Sequence, residues 1–96
     1  MEPYEVEVLM RMFDRGLIGN SYKPIEKVRV RIDWDHVCRL YRVKPAFAKV
    51  ARHLIQKGYL SDHGKSGAVL SLTALGVAFV RAKLIEKPAD SDRRIA

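Results

Sequence analysis

The spacing of hydrophobic positions along this chain changes period several times, and each change marks an element. From residue 3 to 17 or 18, Val6, Leu9, Met10, Phe13 and Leu17 fall at the i, i+3, i+4, i+7 spacing of one helical face, behind a proline suited to a helix start. Gly16, Gly19, Asn20 and Ser21 end that helix, and Tyr22-Lys-Pro24 leads on as a loop in extended form. Residues 27–32 then read Lys-Val-Arg-Val-Arg-Ile, an alternation that predicts a half-buried strand with Val28, Val30 and Ile32 inward. Asp33 or Asp35 caps a second helix, on which Trp34, Val37, Cys38, Leu40 and Tyr41 are expected to pack inward. After a break at Arg42-Val-Lys-Pro45, a third helix over about residues 45–57 sets Phe47, Val50, Ala51, Leu54 and Ile55 on one face. Lys44, Ala48, Lys49, Arg52, His53 and Gln56 are left outward, and Gly58 is its C-terminal cap.

Short apolar runs at residues 59–60 and 68–72 flank Ser61-Asp-His-Gly-Lys-Ser-Gly67, the strongest turn signal in the chain and the tip of a hairpin. Thr73 caps a fourth helix, about residues 73–87, with Leu75, Val77, Ala78, Phe79, Ala82, Leu84 and Ile85 leaving few polar positions. A six-residue strand is not stable alone, so the run at 27–32 must join the two later ones. The expected fold class is α+β, with helices packed on a small three-stranded antiparallel sheet. It forms one domain over residues 1–87, and residues 88–96, without apolar spacing, form a flexible C-terminal tail.

Charge narrows the function. The chain carries a net charge of +7, unevenly placed. Residues 1–20 hold four acids against Arg11 and Arg15, a net of −2. Residues 21–87 hold fourteen Lys or Arg against five acids, a net of +9, and the tail sums to zero. No apolar run is long enough to span a bilayer, and the acidic first twenty residues do not read as a signal, so the expected location is cytoplasmic. The single cysteine, Cys38, reads as a small buried hydrophobe. The three histidines, His36, His53 and His63, fall on different elements without a ligand pattern, so no metal and no cofactor is expected. No phosphate loop, nucleophile elbow or carboxylate pair is present, which argues against an enzyme.

The order of elements, with Leu54-Ile-Gln-Lys-Gly58-Tyr-Leu60 at the end of the third helix and Val69-Leu-Ser-Leu-Thr73-Ala-Leu-Gly76 at the start of the fourth, resembles the winged helix-turn-helix superfamily over about residues 5–87. The second piece is similar to the strand and helix start of MarR-like and PadR-like regulators. The likeness is to the minimal winged helix common among small archaeal and viral regulators. It implies a DNA-binding transcriptional regulator whose third helix enters the major groove while the wing at 61–67 follows the phosphates.

On that reading Arg52, His53 and Gln56 are the side chains able to read bases. Lys44, Lys49, Lys57, Lys65, His63, Arg29, Arg31 and Arg42, with Arg39, serve mainly the backbone. The blander reading of Arg29, Arg31 and Lys27 is a solvated, charge-protected strand. Met10, Met12 and Phe13 of the first helix, with Phe79, Leu84 and Ile85 of the last, offer more apolar surface than a small sheet covers. Met10, Phe13, Phe79 and Leu84 are therefore expected at a homodimer interface, the alternative being that the two helices cover one another in a monomer. The expected partner is double-stranded DNA, with no membrane. The rival classes are an RNA- or ribosome-associated winged helix and a protein-interaction module.

Overall fold

The structure, a computed structural model, describes residues 1–64 and 68–95, the side chains of the last helix as far as Ile85. Its elements are α1 Pro3–Asp14, β1 Lys23–Pro24, α2 Ile25–Arg31, α3 Trp34–Tyr41, α4 Phe47–Gln56, β2 Leu60–Asp62, β3 Val69–Leu72 and α5 Ala74–Ile95. The arrangement is α+β: among the described residues, five helices pack on a three-stranded antiparallel sheet of order β1-β3-β2. Strand β3 is central, pairing Lys23 with Leu70 on one side and Leu60 with Leu72 on the other.

The strand expected at 27–32 is instead helix α2, and the third strand is the short Lys23–Pro24 just before it. An alternation at i, i+2, i+4 contains an i, i+4 pair, and Val28 and Ile32 are that pair, both fully buried on one helical face. Val30 falls on the opposite side and is 70% exposed, not inward. The environment favours the helix. Glu26 lies in its first turn and Arg29 and Arg31 in its last, each complementing the helix dipole. Arg15 donates to the carbonyl of Arg31 at 2.6 Å and Arg11 to that of Ile32 at 2.9 Å, which satisfies backbone acceptors at the helix end.

Asp33 then turns the chain in the left-handed region, φ 55°, and caps α3 by accepting from the His36 amide at 3.3 Å. On α3, Trp34 and Val37 are buried and Cys38 and Tyr41 half-buried, but Leu40, expected inward, is 55% exposed. Helix α1 is rotated from its expected face. Glu5, Val8, Leu9 and Met12 are buried with Leu17 beyond them, while Val6, Met10 and Phe13 are half-buried. Its apolar band spans two adjacent stripes against α3, α5 and β3, and the stripe with Val8, Leu9 and Met12 is the buried one. Met12 is thus core rather than free surface.

The core joins these residues to Phe47, Val50, Ala51 and Leu54 of α4, Leu60, Leu70 and Leu72 of the sheet, and Val80 of α5. Trp34 bridges two helices, edge-on to Tyr4 at 6.2 Å and tilted against Phe47 at 5.4 Å. Thr73 ties three elements together. Its hydroxyl donates to the Gly58 carbonyl at 2.6 Å and accepts from the Gly76 amide at 3.0 Å, capping α5 as expected. Gly76 lies so near the Tyr59 carbonyl that a Cβ would come within 2.4 Å of it, so the α5–hairpin junction requires glycine. Helix α5 runs past Lys87, the end expected for it. It continues to Ile95 through most of the tail expected over 88–96, and the side chains beyond Ile85 lie outside what the structure describes.

Candidate nucleic-acid interface

Helix α4 begins later than residue 45. Ala46 is its N-cap in extended conformation, and Lys44 and Pro45 precede it, since a proline disfavours helical backbone in the residue before it. Lys57 closes the helix and Gly58, at φ +85°, turns the chain into β2, as expected. With Phe47, Val50, Ala51 and Leu54 buried, the opposite face presents Ala48, Lys49, Arg52, His53 and Gln56, followed by Lys57, all exposed. Lys44 and Arg42 are exposed in the approach to it, Arg42 in the left-handed region at φ 57° as the C-cap of α3.

From His36 to Ser61 the chain has no acid and six cations, Arg39, Arg42, Lys44, Lys49, Arg52 and Lys57. Among the described residues none of these cations makes a salt bridge. A run of cations without counter-charges along one exposed helix and its approach is an electrostatic footprint for a polyanion.

His53 is the exception to the outward pattern. Its Nδ1 is hydrogen-bonded to a carboxylate oxygen of Glu5, which lies on α1 and is only 2% exposed. The second oxygen of Glu5 accepts from the Glu2 amide at 2.9 Å in a capping box that starts α1. Burial pushes the Glu5 carboxyl up. The hydrogen bonds from His53 and the Glu2 amide, with the charges of His53 and Lys57, outweigh it and hold the group below its ordinary range. Glu5 carries no pattern signal in the sequence, since it occupies a first-turn position where acids are common on any helix.

No protein-family model, no curated protein and no solved structure matches this chain. Arg29 and Arg31 do not join the α4 face. They lie on α2, Arg31 as its last residue, ahead of α3. Arg29 pairs at 3.4 Å with both Glu26 and Asp35, so its charge is partly met. At the hairpin, His63 stacks on Tyr22 with ring centroids 4.3 Å apart and is hydrogen-bonded to Ser71 Oγ at 2.8 Å. The sequence offered no signal for Tyr22, which reaches His63 only because β1 lies beside β3. Lys65 falls outside the described residues.

Three of the four residues expected at a dimer interface share one groove. Met10, Phe13 and Leu84 line it with Val80, Glu7, Arg11, Asp14, Arg15, Asp33 and His36, and its volume is about 570 Å³. Phe79 lies apart, tilted against Tyr59 at 5.1 Å with the Lys83 ammonium 5.6 Å from its ring centre. Arg11 spans the groove floor, bonded to Glu7 at 2.8 Å and to His36 Nδ1 at 2.9 Å. Cys38 is half-buried, and burial first, then Asp35, pushes its thiol up, the opposite of an activated nucleophile. His36, His53 and His63 remain on three separate elements, and no cluster of metal-ligating side chains forms among the described residues. No helix among them is long and apolar enough to cross a membrane.

Proposed function

We propose that this chain is a winged helix-turn-helix protein that binds double-stranded DNA and acts as a transcriptional regulator, with α3 and α4 as the helix-turn-helix and the β2–β3 hairpin as the wing. The observation that carries the reading is the exposed cationic face of α4 and its approach, six cations over residues 36–61 with no acid among them. Helix α4 is free on the side away from the core, as a helix that enters a major groove must be. Lys44, Lys49, Lys57 and Arg42 contact phosphates. Arg52, His53 and Gln56 reach base edges, with Ala48 small enough to allow close approach.

Affinity on this reading is dominated by counterion release, and these four phosphate contacts give a log–log salt slope of about −3 to −4. The test is fluorescence anisotropy with a random-sequence duplex across a salt series, an RNA hairpin in parallel and the protein mass recorded on the same sample. Salt-steep binding that favours the duplex supports DNA. A preference for the hairpin at equal salt overturns it in favour of an RNA-associated protein, and no binding to either polymer leaves a protein-interaction module. The protein acts as a two-fold dimer, so the mass is expected at twice that of the chain. Support for this comes from apolar side chains left outside the core on α5: Leu84, which lines the groove with Met10 and Phe13, and Leu75 and Ile85 elsewhere on the helix, the last 72% exposed.

A further inference from the structure

This inference rests on the reading of α4 as a helix that lies in the major groove. The outward cations of α4 and its approach, Lys44, Lys49, Arg52 and Lys57, are hydrogen-bond donors only, suited to phosphate oxygens and to the acceptors of guanine. His53 stands among them with Lys49 and Lys57 one turn away on either side, and its side chain is 49% exposed. Its hydrogen-bonding pattern is not free. Both oxygens of the Glu5 carboxylate are acceptors, one for the Glu2 amide and one for His53 Nδ1, so Nδ1 carries a proton. In a neutral imidazole only one nitrogen is protonated, which leaves Nε2 a bare acceptor. Among the described residues Nε2 has no protein partner.

We propose that Glu5 sets the tautomer of His53 so that α4 presents a hydrogen-bond acceptor to the groove, making His53 a specificity-determining residue for the exocyclic amino group of adenine or cytosine. In the major groove those amino groups, adenine N6 and cytosine N4, are the donors on base edges, whereas guanine and thymine offer acceptors. Glu5 is a positioning residue: it lies beneath the helix and touches no nucleic acid. Tyr4 and Glu5 of α1 and Lys49 of α4 line the same pocket as the imidazole, while Lys57, just past α4, and the Glu2 amide act on the Glu5 carboxylate.

Two measurements test this separately from DNA binding as such. Long-range proton–nitrogen correlation spectra of the free protein read the tautomer directly. The Nδ1–H pattern is expected for neutral His53, and the Nε2–H pattern overturns the inference whatever the protein binds. Selection from a randomised duplex pool then reads base preference. At one position the native protein is expected to favour adenine or cytosine by about five-fold, the worth of one net hydrogen bond. In Glu5→Gln the amide carbonyl keeps the Glu2 contact and the amide nitrogen donates to Nδ1, which moves the imidazole proton to Nε2. Guanine is then favoured at that position and the other positions are unchanged. His53→Ala, with its fold checked by circular dichroism, loses preference there alone. The same preference in the native protein and both variants overturns the inference while DNA binding stands, whereas failure to bind any duplex overturns the reading of function and the base selection with it.

Discussion

Helices α2 and α4 both carry alternating cations and apolar residues, yet their charges meet different surroundings. On α2, Arg29 is flanked by Glu26 and Asp35, and the carbonyl of Arg31 is bound by Arg15. On α4, Lys49 and Arg52 make no salt bridge among the described residues, and Glu5, which reaches the helix from α1, is buried and hydrogen-bonded to His53, with the charge of Lys57 also acting on it. A count of cations along the chain therefore does not give the potential at the surface. Which acids fold against them does, because a counter-charge a few ångströms away cancels much of the attraction for a distant phosphate.

The comparison breaks most visibly on the buried side of α2 and its C-cap. Ile32→Ala is expected to cost about 2–4 kcal/mol in denaturant unfolding, as a fully buried side chain, while Val30→Ala stays within about 0.5 kcal/mol. Equal losses at both positions would restore the half-buried strand.

Charge reversal comes next. Lys49→Glu/Arg52→Glu should weaken duplex binding on the order of a hundredfold at moderate salt, with an unchanged fold by circular dichroism, while Arg29→Glu/Arg31→Glu weakens it less than about threefold. Similar losses from both pairs would make the basic surface one diffuse field rather than a site on α4.

A smaller effect is expected at the end of α2. Arg15→Ala removes the donor to the Arg31 carbonyl and should lower stability by about 1 kcal/mol, read by the same unfolding measurement. The smallest lies under α4. Glu5 is held below its ordinary value of 4.5, so the stability its ionised form contributes is fully present above that value and is lost as pH falls through the lower folded value. Glu5→Gln should flatten the acid side of the stability–pH curve below pH 4.5 and leave the neutral side parallel to that of the native chain. An unaltered acid limb would mean that the buried carboxylate is not ionised in the folded protein.

By itself the sequence determined the elements whose local signals and burial agree. The two faces of α4, the Gly58 turn, the hairpin with β2 and β3, and the Thr73 cap of α5 were all legible, because a long 3.6-residue period, a positive-φ glycine and a hydroxyl before an apolar run each admit one local structure. Residues 27–32 were not legible in this way. Six residues of alternation fit a strand face and, through Val28 and Ile32, a helix face equally well, and the choice fell to contacts with Arg11 and Arg15 more than a dozen positions earlier. The same holds at the candidate site. That Lys49, Arg52 and Gln56 point outward follows from period alone. Only the tertiary structure brings Glu5 under His53, Tyr22 onto His63 and acids beside Arg29, since each pairing joins segments whose spacing in the chain carries no trace of their contact in space.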